Sequence, residues 1–384
     1  MRVLMISKAC VTQSYRSKLE YLNQLDSQFE VALVVPPSWG TLTFEPRPTD
    51  GSYPLLVTPV RLNGHNHFHF YPELQSIMRR YRPDLVHIDE EHYSLVTYQA
   101  IRIAEKLHIP SLFFTWQNIF KHYPWPFSTT ERHVLTHAQA AIAGNQDAQE
   151  VLRKKGFHNP IWVIPQFGTD TNLYYPRDKA VTKKSQNLAG QFVIGYVGRL
   201  VTEKGLDDLW QAAQPLLAQH SDIVLLLAGQ GPWADIIRSR AESLHLGNQV
   251  RILPWVTTKV MPEVMNALDV LVLPSHTTAR WKEQFGRVLT EAMASEVAVA
   301  GSNSGEIPHV IKEGGIVFPE KSPTSLFKAL TALYGDPRLR DNLGKAGRQR
   351  VLNHYSQEII ARNTLDVYRH LRDNHVQASR RSTF

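Results

Sequence analysis

The sequence belongs to the α/β class and predicts two doubly wound domains, each a parallel sheet with helices packed on it. Three observations lead there. At 384 residues the chain exceeds what one small core can hold. Short apolar runs alternate with helix-period patterns from end to end, as βαβ units do. A polar, aperiodic stretch from Tyr174 to Gly190, with Pro176, Lys179, Lys183, Lys184, Ser185 and Asn187, splits the series into two similar halves.

In the first half, residues 3–6, 31–35, 85–88, 112–115 and 140–143 read as strands. Residues 17–25, 73–81, 94–107 and 130–138 carry helical spacing between them. A further helix at 147–155 stops at Gly156, whose missing Cβ suits a helix C-terminus, and a strand at 161–164 follows. The second half repeats the theme with strands at 192–197, 223–228, 250–253, 270–273, 297–300 and 315–318. An amphipathic helix at 357–371 follows the last strand. The expected organisation is therefore a Rossmann-like domain over 1–170, a linker over 171–190 and a second Rossmann-like domain over 191–357. A terminal helix and tail occupy 358–384.

Composition narrows the function classes. Hydrophobic residues make up 43% and charged residues 20%, ordinary for a globular protein. The opening apolar run is five residues long and ends at Ser7 and Lys8, so it reads as a buried first strand and not a secretory signal. One cysteine, Cys10, excludes an intrachain disulfide and fits a reducing, cytoplasmic setting. The formal charge of +7 is spread, with 20 Lys/Arg against 16 Asp/Glu in residues 1–185 and 22 against 19 in the rest. A nucleic-acid partner, which needs a basic stripe, is not expected. Arg79, Arg80 and Arg82, with Arg380 and Arg381, leave peripheral attachment to the anionic inner face of a membrane open; solvated helix ends are the plainer reading.

The richest stretch is 274–294, Pro-Ser-His-Thr-Thr-Ala-Arg-Trp-Lys-Glu-Gln-Phe-Gly-Arg-Val-Leu-Thr-Glu-Ala-Met-Ala. It starts where the 270–273 strand ends, on the sheet edge where open α/β folds bind ligands. Glu283 precedes a helix expected over 285–294, and Glu291 lies two turns inside it. Amides of Phe285, Gly286 and Arg287 at the helix start suit an anion. The two acids either bracket a ligand or serve as an N-terminal helix charge and an exposed helix residue. A second stretch, Gly198-Arg199 through Lys204-Gly205, sets two cations around a strand-to-helix turn, where a pyrophosphate would sit. Arg199 has Glu203 as an alternative partner. Gly229 opens a third turn, and Ser304-Gly305-Glu306 a fourth. Four loops on one edge of one sheet compose a nucleotide site.

In that order these residues resemble the family-4 glycosyltransferases of the GT-B fold. The segment 163–176, Val-Ile-Pro-Gln-Phe-Gly-Thr-Asp through Tyr-Tyr-Pro, is similar to the stretch that joins their two domains. The resemblance implies two domains facing across a cleft, with the last helix crossing back to the N-terminal domain. It implies a retaining transferase that uses a nucleotide-diphosphate sugar and requires no metal. Carried over by position, Glu283 would hold donor-sugar hydroxyls and Glu291 the ribose. Arg199 and Lys204 would neutralise the departing diphosphate, with help from the 285–287 amides. The base would lie near 253–256, with Trp255 as a wall. A carbohydrate or lipid-linked acceptor, in polysaccharide or glycolipid assembly, is the expected partner. A sugar phosphorylase, an epimerase or a non-catalytic nucleotide-sugar-binding module are the alternatives.

Three departures from that pattern stand out. Residues 7–15 carry no glycine where relatives have a glycine-rich loop, which turns attention to Lys8, Tyr15 and Lys18. Phe-Thr-Trp-Gln-Asn at 114–118 replaces a usual histidine; Gln117 or Asn118 can donate a hydrogen bond but cannot serve as a base. Glu296-Val297-Ala298 stands where Gly-x-Pro is common. On the acceptor side, Glu91 and His92 after the 85–88 strand are candidates for hydroxyl binding. His65, His67 and His69 alternate and would share one side of an extended segment. Aromatic packing is their expected role, and no metal site is expected there.

Overall fold

The computed structural model describes residues 1–46, 53–254 and 256–381, with side chains described through residue 374. The chain forms two compact units, one of Met1–Gly168 with the segment from Gln357 onward, the other of Thr169–Ser356.

The first unit opens with β1 (Arg2–Ile6), α1 (Ser17–Leu25), β2 (Glu30–Val35), the short hairpin of β3 (Ser38–Trp39) and β4 (Leu42–Thr43), and β5 (Leu55–Val57). It continues through α2 (Leu74–Tyr81), β6 (Leu85–Ile88), α3 (Leu95–Lys106), β7 (Ser111–Thr115) and α4 (Phe127–His137). The series ends with β8 (Ala140–Ala143), α5 (Gln146–Lys154) and β9 (Ile161–Val163). Seven strands make one parallel sheet in the order β5-β2-β1-β6-β7-β8-β9. Successive side chains of a strand face opposite ways, so β1 feeds two separate cores. Val3 and Met5 enter the core that holds Leu19, Leu365 and Tyr368, and Leu4 and Ile6 the one that holds Leu74, Ile77 and Val96.

The second unit begins with α6 (Lys179–Ser185), inside the segment expected to be a linker. Asp178 caps this helix by accepting from the Val181 amide at 3.0 Å. Two of its three lysines look solvated in the sequence but are ion-paired: Lys183 Nζ lies 2.5 Å and Lys179 Nζ 3.4 Å from the buried carboxylate of Asp269. Then come β10 (Phe192–Val197), α7 (Leu206–Gln219), β11 (Ile223–Ala228), α8 (Trp233–Ser243), β12 (Val250–Leu253), α9 (Met261–Asn266) and β13 (Val270–Leu273). After them run α10 (Arg287–Ala294), β14 (Ala298–Ser302), α11 (Ile307–Ile311), β15 (Gly315–Phe318), α12 (Pro323–Gly335) and α13 (Pro337–His354). The parallel sheet runs β12-β11-β10-β13-β14-β15. Thr169, where the chain enters this unit, donates to the Tyr355 carbonyl at 2.7 Å, so the points of entry and exit lie side by side.

The last helix, α14 (Gln357–Arg381), packs in the first unit as expected. Ala361, Leu365 and Tyr368 lie three and four residues apart, fully buried on one stripe beside α1. The Tyr368 hydroxyl meets Nδ1 of His87, a fully buried β6 residue, at 2.7 Å. Burial, helped by the charge of Lys18, pushes the His87 pKa well down and keeps the imidazole neutral. Tyr368→Ala should destabilise the first unit by about 3–5 kcal/mol, and Tyr368→Phe by about 1 kcal/mol through the lost hydrogen bond. Urea unfolding followed by a probe in that unit measures both; an unchanged midpoint for the alanine variant would show that α14 does not contribute to this core.

Candidate active site

Each sheet winds outward from one pair of neighbouring strands, β1 and β6 in the first unit and β10 and β13 in the second. Loops leaving such a pair diverge, and the crevice at their C-terminal ends is where open α/β sheets take ligands.

In the second unit the two loops meet through charge. Lys204 ends a 3-10 turn after β10 and places Nζ 2.6 Å from Oε2 of Glu283, in the loop after β13. Ser275 donates to the same oxygen at 2.8 Å, and the ammonium lies over the Trp281 ring, 4.7 Å from its centroid. Both members of the pair are largely buried, so their mutual attraction is weakly screened by water. The His276 amide, donating to the Glu203 carbonyl at 2.9 Å, ties the two loops a second time.

Glycines let further loops close in. A Cβ on Gly305 would sit 2.0 Å from the Glu283 carbonyl oxygen, and that oxygen also accepts from the Glu306 amide at 3.1 Å. The turn after β14 therefore seats the Glu283 backbone. A Cβ on Gly229 would meet the Gly198 carbonyl oxygen at 1.8 Å, which presses the turns after β10 and β11 together. Gly286 is the N-cap of α10 at φ 76°, in the left-handed region.

Glu291 is buried on α10 with Arg287 Nε 2.8 Å from its carboxylate, which rules out the exposed-helix alternative. Burial raises its pKa, and the Arg287 guanidinium only partly offsets this. Tyr174 faces it, and the phenol's pKa is pushed up by burial and by that carboxylate.

The structure thus gathers Lys204, Glu283, Gly198, Gly229 and Gly286 on one sheet edge. Arg199 takes the alternative partner, Glu203, at 3.3 Å and is mostly exposed. The Phe285 ring is a packing element, edge-on to Tyr355 at 5.6 Å. Trp255 lies outside the described residues. Sequence reasoning gave no site role to Ser275, Trp281 or Tyr174; the first two lay inside the 274–294 stretch, and Tyr174 was read only as part of the Tyr-Tyr-Pro segment that joins the two domains.

In the first unit the corresponding strand pair also carries a lysine and a glutamate. Lys8, after β1, donates to Glu90, after β6, and the Ser7 hydroxyl donates to Asp89 at 2.7 Å. Burial would raise the Glu90 pKa, but Lys8 and His69 outweigh it and hold the carboxyl at about 2. Asp89 and Glu90 were not singled out from the sequence, although they adjoin Glu91 and His92. Those two turn to a different network. Glu91 accepts from the Trp116 amide at 2.9 Å and the Thr115 hydroxyl at 2.5 Å. The buried His92 lies 3.2 Å from the Thr115 hydroxyl and 3.0 Å from Glu131. The Gln117 amide donates to Thr115 at 3.0 Å, and its side chain to Tyr123 at 3.2 Å. Asn118 is buried beside it. Lys18 donates to the Gln166 carbonyl at 2.9 Å.

The three alternating histidines are not extended. The chain turns there, with His69 N donating to the His65 carbonyl, so the rings diverge. His67 stacks on Tyr93 at 4.9 Å and His69 lies edge-on to Trp39 at 4.6 Å.

A carboxyl with a raised folded pKa holds its proton more tightly when folded, so its contribution to stability falls as pH rises through that window. Stability of the second unit should therefore decline from pH 4.5, the ordinary value, up through the raised pKa of Glu291. Glu291→Gln should remove this component. Denaturation midpoints across that range for both proteins give the difference, and parallel curves would refute the assignment.

Comparison with known proteins agrees with this architecture. The family model described as Glycosyltransferase Family 4 matches residues 17–171, and the one described as Glycosyl transferases group 1 matches residues 178–350. Spore coat protein SA of Bacillus subtilis is 28% identical over 217 residues, 52% of this chain and 56% of that protein. The capsular polysaccharide biosynthesis glycosyltransferase CapM of Staphylococcus aureus is 28% identical over 209 residues, 53% of each chain. The chain thus spans about half the length of these curated relatives. The structure of Anabaena HepE in complex with UDP superposes with a TM-score of 0.73 at 17% identity, over 96% of this chain and 99% of that one, and shows a shared fold. With both domains matched in order and the parallel-sheet fold common to both, the chain belongs to the group 1 and family 4 glycosyltransferases of the GT-B fold.

Proposed function

We propose that the chain transfers a sugar from a nucleoside-diphosphate sugar, bound on the second unit, to a carbohydrate or lipid-linked acceptor bound on the first. The reaction retains anomeric configuration and uses no catalytic metal. The observation that carries this reading is the Lys204–Glu283 pair, 2.6 Å apart, where the second sheet reverses its winding.

A donor diphosphate competes with Glu283 for the Lys204 ammonium and frees the carboxylate to accept from sugar hydroxyls. As the bond between the anomeric carbon and the diphosphate oxygen breaks, negative charge collects on that oxygen. Lys204 is placed to stabilise it, and Arg199, held to Glu203 only by an exposed pair, can swing in as a second cation. These two charges do the work a metal would do. The acceptor oxygen bonds the anomeric carbon on the face the diphosphate leaves, and its proton passes to the departing phosphate oxygen. Glu291, next to Arg287 and Tyr174, is assigned to the donor ribose, and the Lys8–Glu90 edge, with Lys18, to the acceptor.

The named substrates of relatives support the donor and acceptor classes. HepE structures contain UDP and UDP-glucose, and CapM is named for capsular polysaccharide biosynthesis. Among the described residues no helix is long and apolar enough to cross a membrane. In this reading a lipid-linked acceptor would be met peripherally, at the cytoplasmic face.

A nucleotide-sugar panel read by mass spectrometry should identify a bound donor, with nucleoside diphosphate released fully only when acceptor is supplied. Lys204→Ala should lower kcat roughly a hundred- to a thousandfold. Chelator should leave the rate unchanged, and NMR of the first-formed product should show the donor's anomeric configuration. A Lys204→Ala rate within about threefold of wild type, or an inverted product, would overturn the proposal.

A further inference from the structure

A cluster in the first unit has no part in the reaction above. His133 and His137 lie four residues apart on α4, on one helix face, and their rings stack at 4.0 Å and 22°. Glu105, near the end of α3, reaches both: Oε2 is 2.7 Å from His133 Nε2 and Oε1 is 3.3 Å from His137 Nε2. The three ligand atoms lie within 4.8 Å of one another.

We propose that Glu105, His133 and His137 form a binding site for one divalent transition-metal ion of the zinc class. Hydrogen bonding argues for it first. His137 Nδ1 lies 2.8 Å from the His133 carbonyl oxygen, and a carbonyl only accepts, so Nδ1 carries the hydrogen. In the neutral ring Nε2 is then a bare lone pair, and it faces a carboxylate oxygen that also only accepts. Two acceptors at that distance need a cation between them, either a proton on the imidazole or a metal ion. Geometry argues for the metal. Ligands ~2.0–2.1 Å from a tetrahedral ion lie about 3.3 Å apart; Glu105 and His137 already have that separation, and the 2.7 Å contact between Glu105 and His133 would open to admit the ion. The bond from His137 Nδ1 to a backbone carbonyl is the outer-shell support that zinc-bound histidines usually have. Two imidazoles and one carboxylate, with water in the fourth position, suit zinc, cobalt(II) or nickel(II) better than magnesium or calcium.

The bound ion cross-links α3 and α4. On its other side α4 carries Glu131, which holds Lys155 at 2.8 Å and His92 at 3.0 Å, so the brace would steady the helix behind the Thr115 network.

Full-length protein stripped with chelator and titrated with zinc chloride in a calorimeter should take up one ion per chain with micromolar affinity. Cobalt(II) in its place should give the strong visible absorption of a tetrahedral site. His137→Ala should weaken zinc binding by at least roughly tenfold, since loss of an outer-shell partner alone costs 10–100-fold. Glu105→Gln should weaken it as well, while His354→Ala, an exposed histidine elsewhere, should leave it unchanged. Zinc should raise the Tm of the wild type and not of His137→Ala. Absence of saturable heat, or zinc affinity that survives both His137→Ala and Glu105→Gln, would show that only a proton bridges these groups.

Discussion

A lysine and a glutamate from loops 79 residues apart meet at the C-terminal edge of the second sheet, and much of that edge is arranged around them. Neither charge is well exposed, so the attraction between them is only weakly screened by water and holds the two loops together. Ser275 takes up more of the acceptor capacity of Glu283, and the Trp281 face lies under the ammonium. Gly305 allows a third loop to touch the Glu283 backbone where any Cβ would collide. In the proposed reaction a diphosphate would offer the ammonium more negative charge than one carboxylate does, and would compete with Glu283 for it.

The two units repeat this device with different surroundings. Lys8 and Glu90 occupy in the first sheet the position that Lys204 and Glu283 occupy in the second, each lysine after the first strand of its sheet and each glutamate after the neighbouring one. Parallel doubly wound sheets produce such a meeting because the strand order reverses at one place only. Around Glu90 the neighbours are His69 and, through Asp89, Ser7 and Gln166. Around the Lys204–Glu283 pair they are Ser275 and the turn of Gly305 at the glutamate and Trp281 at the lysine. The first unit therefore has a polar network folded onto its own loops, and the second a cation set beside a helix start.

Much of this was legible before folding. The central strands are continuous runs of Val, Ile, Leu and Ala, the pattern of strands covered on both faces, and the expected strands are all present to within a residue or two at their ends. Elements without such a run were missed. β5 has three residues after a proline, the β3–β4 hairpin pairs two residues with two, and α6 reads as a lysine-rich linker until Asp269 is seen beneath it. The histidines at 65, 67 and 69 show the limit of spacing arguments, because alternation implies one face only if the backbone is extended, and there it turns.

The sequence by itself determined the fold class, the two-domain order and the short stretches that hold the polar residues of the site. Those follow from local hydrophobic period and from glycines at strand ends, which neighbouring residues alone specify. Tertiary structure decided which polar groups meet: Lys204 with Glu283, Arg199 with Glu203, Glu291 buried against Arg287, and Glu105 beside the two α4 histidines. The reason is physical. A charged side chain reads alike in sequence whether solvated or paired, and only the approach of loops and helices distant along the chain removes water and selects its partner.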